Sequence, residues 1–381
     1  MLGLASAVST ASIHEQRYSL SLDGAGDYLI VRNGFNRASR TFSAWFNSAQ
    51  NTVTQSYGNV ILSQTTSGGD NRWHARIDPA TNLVKLYDGA AVTVDSDAET
   101  TISLNRWYHL IVTEDGSTVK YYINGELEGS DNVAIGTGDS DLFTVGQEFD
   151  GSSSSDHFKG LIGDVAAWGV VLDAAAALDV YNAGSPFDLN TDRGAYDNAS
   201  NLIGYWKMGY GSFDDKANGV VHDQTDPGFG INLWDGANGD VTNWTPFGNN
   251  TVEEDDGTLK FTYVDNVSGP YIYLRDAHHL SADLVVGATY ELSITTKVNT
   301  GSVTWRLQHN SYPTYTFSTL TSTDFVTQSV TFIATTVNSH YLFAGAFGAE
   351  EIVWVKDITV RKLNGNPGLT SGGPTFSSDT P

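Results

Sequence analysis

Between Asn105 and Gly125 the apolar residues alternate along two short runs, a pattern that an antiparallel hairpin accommodates and a helix does not. The first run reads Trp107-Tyr108-His109-Leu110-Ile111-Val112 and the second Val119-Lys120-Tyr121-Tyr122-Ile123. A strand sends successive side chains to opposite faces, so each run offers one face to a core. Glu114-Asp115-Gly116-Ser117 joins them, with Asp-Gly supplying the positive φ that a tight turn needs. Asn124-Gly125 then opens a second tight turn. The predicted unit is an antiparallel meander.

The 381 residues imply two to three domains, each able to bury a core. Aromatics make up 12% and charged residues only 17%, a profile that suits β-sandwiches with apolar inner faces. The net charge is −24, with 20 Lys and Arg against 44 Asp and Glu. Nucleic-acid binding is therefore not expected, since phosphate recognition needs clustered cations. The same charge suits divalent cations, or simply a salty medium that screens the repulsion. With no cysteine, disulfides play no part. No apolar run reaches the ~18 residues of a spanning helix, so no membrane insertion is expected. Residues 1–16 lack a positively charged start and read as a mature arm.

The fold class expected is all-β: two β-sandwich, jelly-roll domains in tandem with short irregular arms. Residues 17–223 form the first domain. Its strands begin with Tyr18–Leu22, Tyr28–Val31, Thr41–Phe46, Val60–Ser63, Arg72–Ile77 and Leu83–Tyr87, and later include Leu142–Gly146 and Gly160–Trp168. Asp173–Tyr181 is the one helix expected, with an acidic N-cap, four alanines and a stop at Asn182-Ala183-Gly184. Leu202–Met208 closes the domain. Trp45, Trp107 and Trp168 sit in apolar strand patterns and read as core.

Trp107-Tyr108-His109-Leu110, Tyr122-Ile123-Asn124-Gly125 and the ordered run Gly163-Asp164-Val165, helix, closing strand resemble the laminin-G-like, concanavalin A-like lectin jelly roll. The resemblance spans about Tyr18 to Asp223. It implies a recognition or structural protein that binds sugars or proteins.

The polar stretch from Gly211 to Gly230 reads as a linker, placed at residues 224–231. A second β-domain covers 232–363, with strands that include Leu259–Tyr263, Tyr271–Leu274, Thr289–Ile294, Val303–Leu307, Val330–Ile333 and Val353–Val360. Val286–Leu292 followed by Val355-Lys356-Asp357-Ile358 resembles the carbohydrate-binding-module, galactose-binding-like jelly roll. Residues 364–381 read as a polar, irregular tail. The small-residue arm, the two sandwiches and the Asn364–Gly368 to Asp379–Pro381 tail together resemble virion surface proteins of marine tailed phages.

Catalysis is not expected, and no catalytic residue is assigned. Glycoside hydrolases need two carboxylates at a set separation, and no same-face E-x-D-x-x-E run exists. The Gly163-Asp164-Val165 strand offers one carboxylate. Glu253-Glu254-Asp255-Asp256 alternates between faces and ends at a Gly257 turn. His278-His279 lacks further ligands at zinc spacing.

Calcium is the cofactor expected, as a structural ion. Asp23–Asp27, Asp139–Asp141 and Asp150–Asp156 are oxygen-rich loops, although each also reads as an ordinary Asp-Gly turn. Asp23 and Asp27 are the first choice, Asp150 and Asp156 the second. Asp357 resembles the structural-calcium aspartate of carbohydrate modules. For sugars, Trp305, Arg306, Gln308, Tyr312 and Tyr315 hold the ingredients of an aromatic platform. Arg306 and Gln308 share one strand face and Trp305 the other. Trp73 poses the same choice between platform and core.

The function expected is a non-enzymatic virion structural protein at the particle surface. Its partners are other virion proteins or copies of itself, and host or environmental glycans. The alternative is a secreted or surface bacterial carbohydrate-binding protein, and a glycoside hydrolase of the concanavalin A-like fold comes third.

Overall fold

Alternation along Arg40–Ser48 and Trp107–Glu114, and along Lys159–Trp168 apart from a bulge between Gly163 and Ala166, makes these strands two-sided, and both sides are used. The computed structural model describes residues 17–32, 35–50, 59–66, 71–88, 91–94, 100–133, 142–151, 153–246, 248–264, 270–309, 314–337, 340–344 and 351–381. Apart from one α-helix, Ala174–Tyr181, and two single 3-10 turns, the described elements are strands.

The chain divides into two units, Met1–Thr225 with Leu369–Pro381, and Asp226–Gly368. In the first, one sheet orders Glu126–Asp131, Val119–Ile123, Trp107–Glu114, Arg40–Ser48, Lys159–Trp168, Ser19–Asp23 and Thr375–Ser377, and Leu202–Trp206 joins the far half of Lys159–Trp168. The facing sheet orders Val220–Val221, Gly368–Ser371, Tyr28–Val31, Leu142–Val145, Val60–Thr65, Asn71–Ile77, Val84–Asp88 and Ala91–Val94.

Phe42 of the first sheet stands 5.2 Å from both Trp73 and Phe143 of the second. A polar network also crosses this core. Arg40, fully buried, pairs with Glu114 at 2.7 Å and donates to Gln64 Oε1 at 2.9 Å. Trp73 Nε1 donates to the same oxygen at 3.0 Å. A buried charge is tolerated only when paired and hydrogen-bonded in this way.

The expected hairpin is present. Asp115 Oδ1 accepts from Ser117 N and Thr118 N at 2.9 and 2.7 Å, and Gly116 takes φ +88°. At the second turn Asn124 and Gly125 adopt φ +53° and +82°. A Cβ on Gly125 would lie 2.9 Å from Leu178 of the helix, so glycine also permits the close approach. Asp173 caps the helix as expected, accepting from Ala176 N at 2.8 Å. The helix and the segment after it cover the outer face of the first sheet with a second small core, built around Trp168, Ala177, Tyr196 and Tyr205. Trp45 is buried on that face too, at 3% exposure, whereas Trp107 is only half-buried and is not a core residue.

The unit boundary after Thr225 falls inside the stretch 224–231 read as a linker, but the polar residues before it, 211–223, are structured and are not part of a linker. Asp214 accepts from Gly209 N and Gly211 N, both at 2.9 Å, and from His222 N at 2.6 Å. Asp223 Oδ1 takes Tyr205 N at 3.0 Å. Short-range composition looked loop-like because these side chains satisfy backbone donors locally. Nor is 364–381 a free tail. Leu20 pairs with Phe376 and Ser21 with Thr375, Thr370 N donates to Gly219 O at 2.8 Å, and Trp107 Nε1 donates to Asp379 Oδ1 at 3.1 Å. The C-terminal residues thus add one strand to each sheet of the first unit. Residues 1–16 lie outside the described residues.

In the second unit Thr251–Asp255, Thr258–Thr262, Ile352–Leu363, Thr289–Val298 and Val326–Ile333 form one sheet, with Phe229–Asn232 paired to Ile352–Leu363. Tyr271–Tyr273, His340–Ala344, Trp305–His309 and Thr314–Thr316 form the other. Trp305 packs against Phe261 between them at 5.7 Å. Asp256 and Gly257, at φ +48° and +73°, turn the acidic hairpin as anticipated.

Deleting Leu369–Pro381 is expected to destabilise the first unit and spare the second. Phe376, partly buried against the core, contributes about 1 kcal/mol, and three strand pairings go with the segment. Scanning calorimetry of the truncated chain should show one transition shifted down and one unmoved. Two unmoved transitions would show that the tail contributes nothing.

Candidate functional site

The second unit's smaller sheet carries its chemistry on the outside. Period two sends Ile272, Leu342, Trp305 and Leu307 inward, all fully buried. Their neighbours therefore face out. The register sets Tyr271 opposite Phe343 and Tyr273 opposite Tyr341. Phe343 and Tyr341 in turn oppose Arg306 and Gln308, which oppose Thr316 and Thr314. The outward face is thus two parallel rows, Tyr271-Phe343-Arg306-Thr316 and Tyr273-Tyr341-Gln308-Thr314.

The rings pack edge-on and tilted rather than flat. Tyr341 lies 5.9 Å from Tyr271, 5.7 Å from Tyr273 and 5.6 Å from Phe343. These are the offset and T-shaped arrangements that the ring quadrupole favours. Burial, then the neighbouring Tyr273 and Tyr271, push the Tyr341 hydroxyl above its ordinary value, so it remains a donor at neutral pH. The Arg275 guanidinium sits 5.1 Å from the Tyr273 ring centroid and donates to His278 Nε2 at 2.6 Å. Burial and the Arg275 charge hold His278 below the usual histidine range. The result is a surface of three half-buried tyrosines edged with hydrogen-bonding groups, with Phe343 in its row but itself buried at 9% exposure.

The anticipated platform residues therefore separate. Arg306 is exposed and Gln308 half-buried, both on this face. Trp305 is core and offers no ring to a ligand. Tyr315 turns inward, 6.0 Å from Phe332, with its hydroxyl accepting from Ile333 N at 3.2 Å. Tyr312 lies outside the described residues. Trp73 is fully buried in the first unit, its indole N–H bound to Gln64. The sequence reading missed Tyr271, Tyr273, Tyr341 and Phe343. The signal was present in Tyr271-Ile272-Tyr273 and Tyr341-Leu342-Phe343, where aromatics alternate with buried aliphatics.

The five carboxylates expected to bind calcium do not converge. Asp156 pairs with Arg76 at 3.1 Å. Asp357 accepts from Asn238 Nδ2 at 2.7 Å and lies 3.8 Å from Lys356 Nζ. Asp150 is exposed at the end of a short strand, and the Asp139–Asp141 loop lies outside the described residues. Asp23 and Asp27 do share one turn. Asp23 Oδ1 accepts from Ala25 N at 2.7 Å and Asp27 Oδ2 from Asp23 N at 3.2 Å. Burial and then the Asp23 charge push the Asp27 carboxyl up. Among the described residues no group of three or more His, Cys, Asp or Glu is arranged to hold a metal.

Asp164, the single carboxylate of the hydrolase-like strand, is 6% exposed and pushed up to about 6 by burial. Tyr210 donates to it and Arg17 lies 3.7 Å away. It lines a narrow cavity with Ser43, Trp45, His109 and Phe187, which has room for about one water molecule. A sugar ring does not fit. Ser43 Oγ and His109 Nδ1 are buried there without partners among the described residues, so they form no nucleophile–base pair.

No helix among the described residues is long and apolar enough to cross a membrane.

Burial pushes His109 down to about 3. Between pH 6.5 and about 3 the unfolded chain then holds a proton that the native state rejects. Stability from this group falls by about 1.4 kcal/mol per pH unit on acidification. Asp164 acts oppositely, because its raised carboxyl lets the native state take a proton first as pH falls through about 6. His109→Phe is expected to reduce the stability lost between pH 6.5 and 5 by about 2 kcal/mol. Denaturant unfolding at both pH values checks this, and equal acid sensitivity in variant and parent would refute it.

Residues 23–177 match the profile of the laminin-G-type family described as the concanavalin A-like lectin/glucanases superfamily. A search of curated proteins finds no match. Among solved structures, a heptameric SAP-like pentraxin from Limulus polyphemus is 18% identical with a TM-score of 0.35, covering 45% of this chain and 84% of that one. A carbohydrate-binding candidate from Bacteroides ovatus is 18% identical with a TM-score of 0.40, covering 55% and 56%. Domain 4 of the extracellular arabinanase AbnA from Geobacillus stearothermophilus, solved with arabinotriose, is 21% identical with a TM-score of 0.35, covering 43% and 76%. The profile match lies within the first unit, whose two facing antiparallel sheets form a β-sandwich.

Proposed function

We propose that this protein is a non-enzymatic glycan-binding protein that recognises sugars on the outer face of the second unit. The observation that carries this is the pair of rows on that sheet, with three half-buried tyrosines beside Arg306 and Gln308. The apolar face of a sugar ring stacks on aromatic surface, while its hydroxyls need fixed donors and acceptors at the margin. The lectin-like profile of the first unit supports the same class. The narrowness of the Asp164 cavity supports binding without hydrolysis.

The proposed setting is a virion surface, as the sequence resemblance implies, with a secreted or surface bacterial binder as the alternative. The C-terminal residues complete the first unit's own sheets. Capsid or tail genes beside this one favour the virion setting, and an export signal at the gene start favours the alternative.

Tyr341→Ala removes the ring at the centre of the face. It is expected to weaken glycan binding by at least about tenfold, or 1.4 kcal/mol. Screening both proteins on a glycan array and then titrating the best ligand checks this. Binding that survives the substitution, in a variant with an unchanged melting curve, would move the site elsewhere.

Structural calcium is proposed at Asp23 and Asp27 alone, because their mutual repulsion is what a divalent cation relieves. Chelator is then expected to lower the melting temperature of the first unit by several degrees, since an ion bound only to the native state stabilises it by mass action. Identical melting curves in chelator and in millimolar calcium would leave the turn as solvated surface.

A further inference from the structure

The charge of the tyrosine face departs from that of the chain as a whole. Asp and Glu outnumber Lys and Arg by 44 to 20. Yet no acidic residue stands among the eight outward positions of the two rows. Arg306 is exposed and makes no hydrogen bond or ion pair with any described residue. It stands directly across from Phe343, which places their β-carbons about 5 Å apart. At the other edge Arg275 is held against Tyr273 and His278. The exposed Asp276 follows it, its backbone N donating to Asp283 Oδ1 at 3.2 Å.

An exposed guanidinium with no carboxylate beside it among the described residues, on the face that carries the three tyrosines, is placed for a sugar that brings its own anion. We infer, resting on the glycan reading above, that the preferred ligand is an acidic glycan. Its ring stacks on the tyrosines, and its carboxylate or sulfate is taken by Arg306. The guanidinium fork matches both anions in a two-point, charge-assisted contact. The net charge of −24 does not forbid this for a short ligand. Charges beyond about 8 Å are largely screened at physiological salt, whereas the direct contact is not. A neutral sugar would leave the Arg306 charge facing only water.

The test is isothermal titration of the full chain at about 0.15 M salt with trigalacturonate, a sulfated galactotriose and plain galactotriose. The acidic trisaccharides are expected to bind about tenfold tighter than the neutral one. Arg306→Gln is expected to narrow that gap to about threefold or less, while Tyr341→Ala weakens all three. Which acidic ligand binds more tightly identifies the anion. Equal affinity for all three, or a preference that survives Arg306→Gln, overturns the inference and leaves glycan binding standing. Failure to bind any sugar on a broad array removes both.

Discussion

The two-residue period of an antiparallel strand is the constraint on which the rest of this protein depends. Once a sheet must bury one face, every second side chain is committed to the core and its neighbours are committed outward. Trp305 and Leu307 are wholly buried, and that alone turns Arg306 and Gln308 to the outside. Ile272 and Leu342 do the same for Tyr271, Tyr273, Tyr341 and Phe343. The candidate binding face is the complement of the core.

The first unit shows the same rule with a different outcome. The inner faces of its sheets meet through Phe42, Trp73 and Phe143, and the Arg40, Glu114, Gln64 and Trp73 network satisfies the polar groups trapped there. The outer face of one sheet is then closed by the helix and Tyr196, so Trp45, His109 and Asp164 are buried although they point away from the main core. Desolvation follows from that cover. It lowers the His109 proton affinity and raises that of Asp164. These shifts have a structural origin, and the space beside them is too small for a saccharide.

The C-terminal segment shows how chain connectivity and sheet completion can be separate matters. The second unit leaves the first after Thr225 and the chain returns at Leu369. The returning residues cover the Ser19–Asp23 edge, which would otherwise present unpaired backbone donors and acceptors. A short, polar segment therefore does structural work that its composition does not announce.

The sequence by itself determined most of the longer strands, the hairpin turns, the capped helix and the all-β class, because these follow from local period, Asp-Gly and Asn-Gly chemistry and an N-cap aspartate. It also determined that Arg306 and Gln308 share a face opposite Trp305. Only the tertiary structure decided which face of each strand is buried and which strands are neighbours. Tyr271, Tyr341 and Arg306 are far apart in the chain and become one surface through long-range register. Trp73 and Tyr315 were drawn into packing for the same reason. The polar 211–223 stretch and the tail were misread because side-chain bonds from Asp214 and Asp223, and pairing across more than 350 residues between Leu20 and Phe376, leave no local periodicity to read.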